Sequence, residues 1–550
     1  SFSNYFQKRA DTPTGAAYDF QTGKDIGRYY VADNVGVSDN NTTNYKTQLN
    51  GRLQYETTIA QNHNIGAMFV YSEEYWHTRS TGASRNDRIH PSTSEINSAL
   101  TNVQSNSGSS ASEGLRSYIG RMNYSAYDKY LLEFSFRVDG SSKFIKGHQY
   151  GFFPTVAVGW RFTEEEFLKK YLSSWLSSGK LRASWGKLGD NSGVGRFEQL
   201  ETLTAMNYMS SDVVKGFVNK KMINKDLSWE VSTDINVGLD LGFLNNRLRT
   251  EIDFYNRLRT GMNRPSQMSI HLTGAYSAPR ANIGDLLNRG LELNLTWKDK
   301  IGNVEYSVNL NGAYNRTVLK EWNEFLSRGW VYLDMPYHFL YVYENNGIAQ
   351  TWQDIYNNTP QGLSPGDVIR KDLNGDGIID GKDKKAYPNI QRDRPTTTYG
   401  ITLQAAWKGF DISMLFNGGL GRKDFWLTDF NNTAFADRRY ASTWDHWTEP
   451  WSLENRGGEW PRLGTSTDRS DNSYWLYNMN YLRMKNIMLG YNLPKKLLSK
   501  ISMTNLRIYA SAENLFTVTQ YPGLDPEKKN SARDLYPINR SFSIGFNVSF

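Results

Sequence analysis

The chain has no cysteine and only seven histidines among its 550 residues. Without cysteine there is no disulfide framework, no thiolate metal site and no cysteine nucleophile. The absence also suits a protein that folds without disulfides after crossing an oxidising compartment. Neither His-Glu-x-x-His nor Gly-x-Ser-x-Gly occurs, so no zincin helix and no nucleophile elbow can be read. The run Glu164-Glu165-Glu166 fits a helix N-terminus better than a catalytic pair. Glycosidase carboxylate pairs are invisible here, because their separation is set in space. Nothing supports an enzyme, and the expectation is that the protein is not one.

No apolar stretch approaches the ~20 residues of a membrane-crossing helix. A basic block is missing too. The 63 Lys and Arg are interleaved with 56 Asp and Glu, for a net charge of +7. Nucleic-acid binders gather basic residues on one face, so that partner is set aside. Ser1-Phe2-Ser3-Asn4 carries no initiator Met, basic n-region or apolar h-region. A mature or internal start is expected, with any export signal removed.

What is present is aromatic side chains and alternation. Tyr at 34 and Trp at 16 exceed what an ordinary core requires and suggest interface girdles or ligand-stacking loops. Tyr130, Leu132, Phe134, Phe136 and Val138 alternate with Leu131, Glu133, Ser135 and Arg137. Ile235, Val237, Leu239 and Leu241, then Leu291, Leu293, Leu295 and Trp297, repeat the pattern, as do Ile401, Leu403, Ala405 and Trp407. Successive strand side chains point to opposite faces, so each segment has one apolar and one polar wall. A soluble β-sandwich would show the same alternation.

Connection lengths separate the two. About fifteen strands are expected, near 45–59, 62–75, 115–126, 129–139, 151–162, 179–187, 229–243, 246–258, 288–298, 303–316, 396–407, 410–418, 480–492, 504–515 and 540–550. Short links such as Ala126-Tyr127-Asp128, Asn245-Asn246 and Lys408-Gly409 alternate with long ones over 76–114, 188–228, 317–395 and 419–479. Outer-membrane barrels pair tight periplasmic turns with long extracellular loops, whereas a sandwich has no reason to gather its long loops at one end. Two periplasmic links are longer: 163–178, expected as a short helix with an acidic start, and 493–503. With a downward strand at 45–59 the last strand also runs downward and leaves Phe550 in the periplasm. That strand, with Phe542, Ile544, Phe546, Val548 and Phe550, resembles the C-terminal insertion signal of outer-membrane proteins. The fold class is therefore all-β: a large transmembrane antiparallel β-barrel in a bacterial outer membrane.

Several strings in order resemble the SusC/RagA class of TonB-dependent outer-membrane transporters. They include Phe136-Arg137-Val138-Asp139-Gly140-Ser141-Ser142, Leu181-Arg182-Ala183-Ser184-Trp185-Gly186 and Trp229-Glu230-Val231-Ser232-Thr233-Asp234. Asn288-Arg289-Gly290-Leu291-Glu292, Tyr481-Leu482-Arg483-Met484-Lys485-Asn486 and Ser511-Ala512-Glu513-Asn514-Leu515-Phe516 continue the series. The resemblance implies a 22-stranded barrel plugged by an N-terminal domain. It also implies TonB-energised import of oligosaccharides or peptides, and a SusD-like lipoprotein lid. No plug, TonB-contacting segment or carboxypeptidase-regulatory-like domain is found in this sequence. The chain is expected to be the C-terminal portion of a longer protein, supplying about the last 15 strands. Residues 1–44 are expected to be an upstream strand and loop segment and 45–550 the barrel portion. The competing function is a surface binding or adhesion barrel without transport.

Two sets of residues are candidate sites. Asp372, Asn374, Asp376, the Ile378 carbonyl and Asp380 sit at the ligand spacing of a calcium loop, with Gly377 at its sharp turn and Asp383 in place of the usual final Glu. Calcium in a structural role is expected; the alternative is a pair of Asn-Gly and Asp-Gly turns. In the long loops, Trp330, Tyr332, Trp352, Trp426, Trp444 and Trp447 offer flat apolar faces beside polar groups, suited to cargo or to the lid. Packing within the loops' own cores is the alternative for each.

Overall fold

The computed structural model describes residues 2–10, 14–19, 24–30, 36–86, 95–101, 104–172, 175–209, 213–219, 221–273, 278–324, 332–337, 339–425, 449–458, 460–462, 472–498, 503–528 and 538–549. Sixteen strands form one sheet in chain order, each antiparallel to its neighbours. The first eight are β1 (Phe2–Ala10), β2 (Val37–Ile59), β3 (His63–Arg85), β4 (Gln104–Ala126), β5 (Tyr130–Ser141), β6 (Tyr150–Trp160), β7 (Leu176–Asp190) and β8 (Glu230–Phe243). The rest are β9 (Leu248–Thr260), β10 (Gly284–Ile301), β11 (Val304–Trp322), β12 (Thr397–Trp407), β13 (Phe410–Leu420), β14 (Tyr481–Asn492), β15 (Asn505–Thr519) and β16 (Ser541–Ser549). All the expected strands are present. The two ends of the sheet, β1 and β16, are not bonded to each other, so the barrel is not closed.

The connections divide by side. Between β12 and β13, Trp407 pairs with Phe410, and Lys408 and Gly409 take φ of 45° and 92°. Two left-handed central residues make the turn whose twist matches the strands. Tyr127 and Asp128 (φ 53° and 54°) turn β4 into β5, and Leu244, Asn245 and Asn246 (φ 52°, 57° and 59°) turn β8 into β9. On this side only 161–175 and 493–504 are longer. The former carries α1 (Glu166–Leu172), the helix that the acidic start leads one to expect. The other end carries 11–36, 86–103, 142–149, 191–229, 261–283, 323–396, 421–480 and 520–540.

Register builds the two walls. Tyr130, Trp160, Leu181, Leu239, Ile252 and Leu293 lie opposite one another across six strands. Phe134 faces Met122 and Val156, while Leu132 faces Tyr124 and Val158. On the other wall Arg182 lies between Asp240 (2.7 Å) and Asp253 (2.9 Å), and Arg121 meets Glu133. The apolar wall is open: Leu53 is 74% and Ile544 is 79% exposed. Burying one such side chain is worth about 1.5–3 kcal/mol, so a wall of them calls for an apolar medium. Aromatics edge that wall at both ends. Tyr130, Trp160, Trp297, Trp407, Phe410 and Tyr491 border the short turns, and Tyr45, Tyr75, Tyr118, Tyr150 and Phe152 border the long loops. Paired girdles of this kind mark the two interfaces of a membrane barrel.

Several strands reach further than the sequence reading has them. β1 lies in 1–44, the segment expected to hold an upstream strand and loop; no bounds could be set for it, because Phe2, Tyr5 and Phe6 do not alternate. β2 begins at Val37, inside the segment assigned to 1–44, β3 and β4 extend into the span 76–114 read as loop, and β11 runs on to Trp322, into 317–395. Stretches added to β2, β3 and β4, such as Ser38-Asp39-Asn40-Asn41-Thr42-Thr43-Asn44, are polar on both faces. Hydrogen bonding holds them in register with their neighbours, yet no apolar period announces them.

Candidate functional site

The long loops fold over the rim and build small cores of their own. Leu340, Val342, Phe425, Trp475, Met479 and Tyr521 are buried together, with Tyr387, Trp460, Tyr474 and Tyr477 packed around them. These residues come from 323–396, 421–480 and the stretch after β15, so one core ties three loops. A second core joins Phe144, Phe153, Val194, Leu227 and Trp229. The loop aromatics in these cores are structural. Of the six candidates, Tyr332 and Trp352 lie among the described residues, and both are exposed. Tyr332 is 44% exposed and stands edge-on to Phe339 and Tyr341, at 5.7 and 5.9 Å. Trp352 is 56% exposed and lies 6.5 Å from Tyr356, itself exposed, on a helix spanning Trp352–Tyr356. Trp330, Trp426, Trp444 and Trp447 lie outside the described residues.

That helix is pinned at its start. The Thr351 hydroxyl accepts from the Asp354 amide, and Asp354 accepts from the Thr351 and Gln350 amides at 2.8 and 2.9 Å. The Thr351 amide, ahead of burial, holds the Asp354 carboxyl below the usual range. Capping of this kind fixes the entry of a short helix and so the direction of its two exposed rings.

The acidic loop is folded on its own backbone. Asp372 accepts from the Gly375 and Gly377 amides at 2.7 and 2.9 Å. Both glycines are left-handed, with φ of 73° and 77°. Asn374 accepts from the Asp376 amide, and Asp376 from that of Ile378. Asp380 caps the turn Gly381–Asp383 through the Lys382 amide. Asp383 is fully buried, accepting from the Leu373, Asn374 and Asp380 amides at 2.9, 3.4 and 2.9 Å. Among the described residues no three His, Cys, Asp or Glu side chains converge as a metal site.

Sequence reasoning missed a charged network at the rim. Arg483 reaches Asp525 and Glu527, and Lys485 also reaches Glu527. Arg422 is 2% exposed and donates to the carbonyls of Arg392, Pro526, Glu527 and Lys528. No local pattern could reveal it, since the partners lie from 30 to 106 residues apart.

Comparison with known proteins bears on what this rim and wall belong to. The family model "TonB dependent receptor-like, beta-barrel" matches residues 1–365. TonB-dependent receptor P3 of Formosa agariphila is 30% identical over 476 residues, covering 79% of this chain and 45% of that protein. TonB-dependent receptor SusC of Bacteroides thetaiotaomicron is 30% identical over 456 residues, covering 79% and 44%. The structure of the RagAB peptide transporter superposes with a TM-score of 0.82 at 22% identity, covering all of this chain and 59% of that one, a likeness of fold. The chain spans about half the length of the curated relatives it matches. With its antiparallel sheet, girdled apolar wall and alternating turns and loops, the chain belongs to the TonB-dependent receptor-like β-barrel family, in its SusC/RagA class.

Proposed function

We propose that this chain is the C-terminal wall of an energised importer that carries oligosaccharides, or peptides, across the outer membrane beneath a SusD-like lipoprotein lid. The carrying observation is the division of the connections, with near-minimal turns on one side of the sheet and loops with their own cores on the other. Such loops suit capture at an outer mouth; tight turns suit the periplasmic side, where the TonB complex would act through a plug. In this reading the polar wall lines the lumen, and β16 ends in the periplasm. The exposed rings of Tyr332, Trp352 and Tyr356 favour the glycan branch, since sugar rings stack their C–H faces on such surfaces. The RagAB peptide transporter, which shares the fold, is the reason to keep the peptide branch. Deleting the gene should abolish uptake of a labelled oligosaccharide or peptide, and removing TonB should do the same. Surface binding that survives without TonB, with no uptake in either case, would favour an adhesion barrel.

We also propose that Asp372, Asn374, Asp376, the Ile378 carbonyl and Asp380 hold one structural calcium ion, with Asp383 bracing the loop. The spacing and the two left-handed glycines support it. Asp383 fits the bracing role because it is fully buried and takes three backbone amides on its two oxygens.

A further inference from the structure

The link between β6 and β7 holds a short helix with an odd distribution of side chains. Leu168 and Leu172 of α1 are partly buried, whereas Phe167 and Tyr171, four residues apart, are 64% and 75% exposed. Trp175 is half exposed and stacks on Phe243 at 5.8 Å. A seven-residue helix is marginal by itself, and a face of bare aromatics in water adds nothing to it. Its position resolves the oddity. Glu165, immediately before α1, is buried and accepts from the Tyr130 hydroxyl at 2.6 Å and the Trp160 indole at 3.1 Å, with Lys129 at 3.5 Å. Tyr130 and Trp160 belong to the aromatic border of the apolar wall. Glu165 therefore clamps the helix to the outward side of the barrel, at the level of the short-turn girdle, and not under the lumen.

We propose that α1 is an interfacial anchor, lying in the headgroup layer of the leaflet next to the short turns. Phe167, Tyr171 and Trp175 enter the acyl boundary, continuing the girdle of Tyr130, Trp160 and Phe243. The exposed ammonium groups of Lys169 and Lys170 reach lipid phosphate, as long basic side chains do at membrane interfaces. Glu164 and Glu166, both exposed, point the start of the helix toward water, and Glu164 lies 3.7 Å from Lys169. Pinned at Glu165 and wetted by lipid along its aromatic face, α1 fixes how deep this part of the barrel sits. The proposal rests on the membrane-barrel reading.

This chain contributes no cysteine of its own to compete with a single label. Spin labels at Phe167→Cys, Tyr171→Cys, Glu164→Cys and Leu132→Cys are to be placed in the full-length protein. Reconstitution is in phosphatidylethanolamine and phosphatidylglycerol vesicles. The labels at 167 and 171 should be reached by oxygen in preference to a water-soluble nickel chelate, though less so than the label at 132, while that at 164 stays aqueous. Labels at 167 and 171 as open to nickel as that at 164, with 132 in lipid, would overturn the anchor and leave the barrel standing. An aqueous label at 132 would sink the barrel reading and the anchor together.

Discussion

Arg483 donates to Asp525 across 2.8 Å with both side chains no more than 3% exposed. Its other nitrogens reach Glu527 and Thr517, each at 2.7 Å. Burial alone would raise the Glu527 carboxyl, but Lys485, Asn417 and Arg483 outweigh it and hold the group below its usual range. The loop after β15 is thereby latched to the wall strand β14, and its Tyr521 joins the aromatic core shared with the other two loops. Arg483→Ala strands the buried Asp525 carboxylate, while Glu527 keeps Lys485 and Asn417; breaking a buried pair from one side costs about 3–5 kcal/mol. Cleavage by added protease within 520–528 should rise sharply, and a double-mutant cycle with Asp525→Ala should show strong coupling. Coupling near zero would mean that the contact is not a latch.

The β12–β13 turn should lie in the periplasm. Gly409 is a poor place for a probe, because its φ is 92° and an added Cβ would approach the Asn492 carbonyl at 2.9 Å. Lys408 already carries a side chain at φ 45°. Cysteine there should resist a membrane-impermeant thiol reagent in intact cells, while cysteine at Gly381 reacts. Equal labelling would reverse the topology.

Register makes a sharp contrast between neighbours. Phe134 stands on the apolar wall between Met122 and Val156, and Ser135 on the polar wall between Arg121 and Thr155. A basic residue facing lipid near the midplane costs about 2–4 kcal/mol. Phe134→Arg should therefore lower the yield of folded, heat-modifiable barrel far more than Ser135→Arg. Similar yields would put the register, or the membrane itself, in error.

Much of this fold was legible because strands that face lipid must alternate. Leu291, Leu293, Leu295 and Trp297 carry their face in their own spacing, and Asn245-Asn246 and Lys408-Gly409 carry their turns in their chemistry. The wall above the apolar band has no such period, so 37–44 and 104–114 were unreadable although they pair as well as any strand. The rim was harder still. Trp475 and Trp352 are alike in sequence, yet one is 2% and the other 56% exposed, a difference set by which loops meet over them. The Arg483–Asp525 contact is similarly a product of closure. Local chemistry announces a loop that folds on itself, such as 372–383, but not one that folds on its neighbours.

Acid should loosen the Trp352–Tyr356 helix. Asp354 has a folded pKa below its unfolded value, chiefly through the Thr351 amide. Such a group adds stability that is fully present above the unfolded value, about 3.9, and is lost as pH falls through the lower folded value. Amide exchange across 351–357, corrected for its intrinsic pH dependence, should stay flat from about pH 7 to 5 and quicken below about pH 4. Asp354→Ala should be faster throughout and indifferent to acid. Loosening already at pH 6 would assign the control to some other group.

The acidic loop supplies the last test. If calcium sits among Asp372, Asn374, Asp376, the Ile378 carbonyl and Asp380, it neutralises carboxylates that crowd one turn and adds its binding free energy to loop order. The Asp372 bonds to Gly375 and Gly377 shape the turn without metal, so the loop should not collapse when the ion is withdrawn. It should instead become more open to protease across 345–395 under a chelator, and Asp376→Ala should copy that effect in calcium-containing buffer. Asp383→Ala removes three backbone bonds and should open the loop more, with calcium only partly restoring it. Barrel assembly should be unchanged in both variants, because the loop lies beyond the sheet. Isothermal titration of the full-length protein should show one site per chain, in the millimolar range usual for extracellular modules. No heat of binding, together with chelator-independent proteolysis, would reduce 372–383 to a pair of glycine turns.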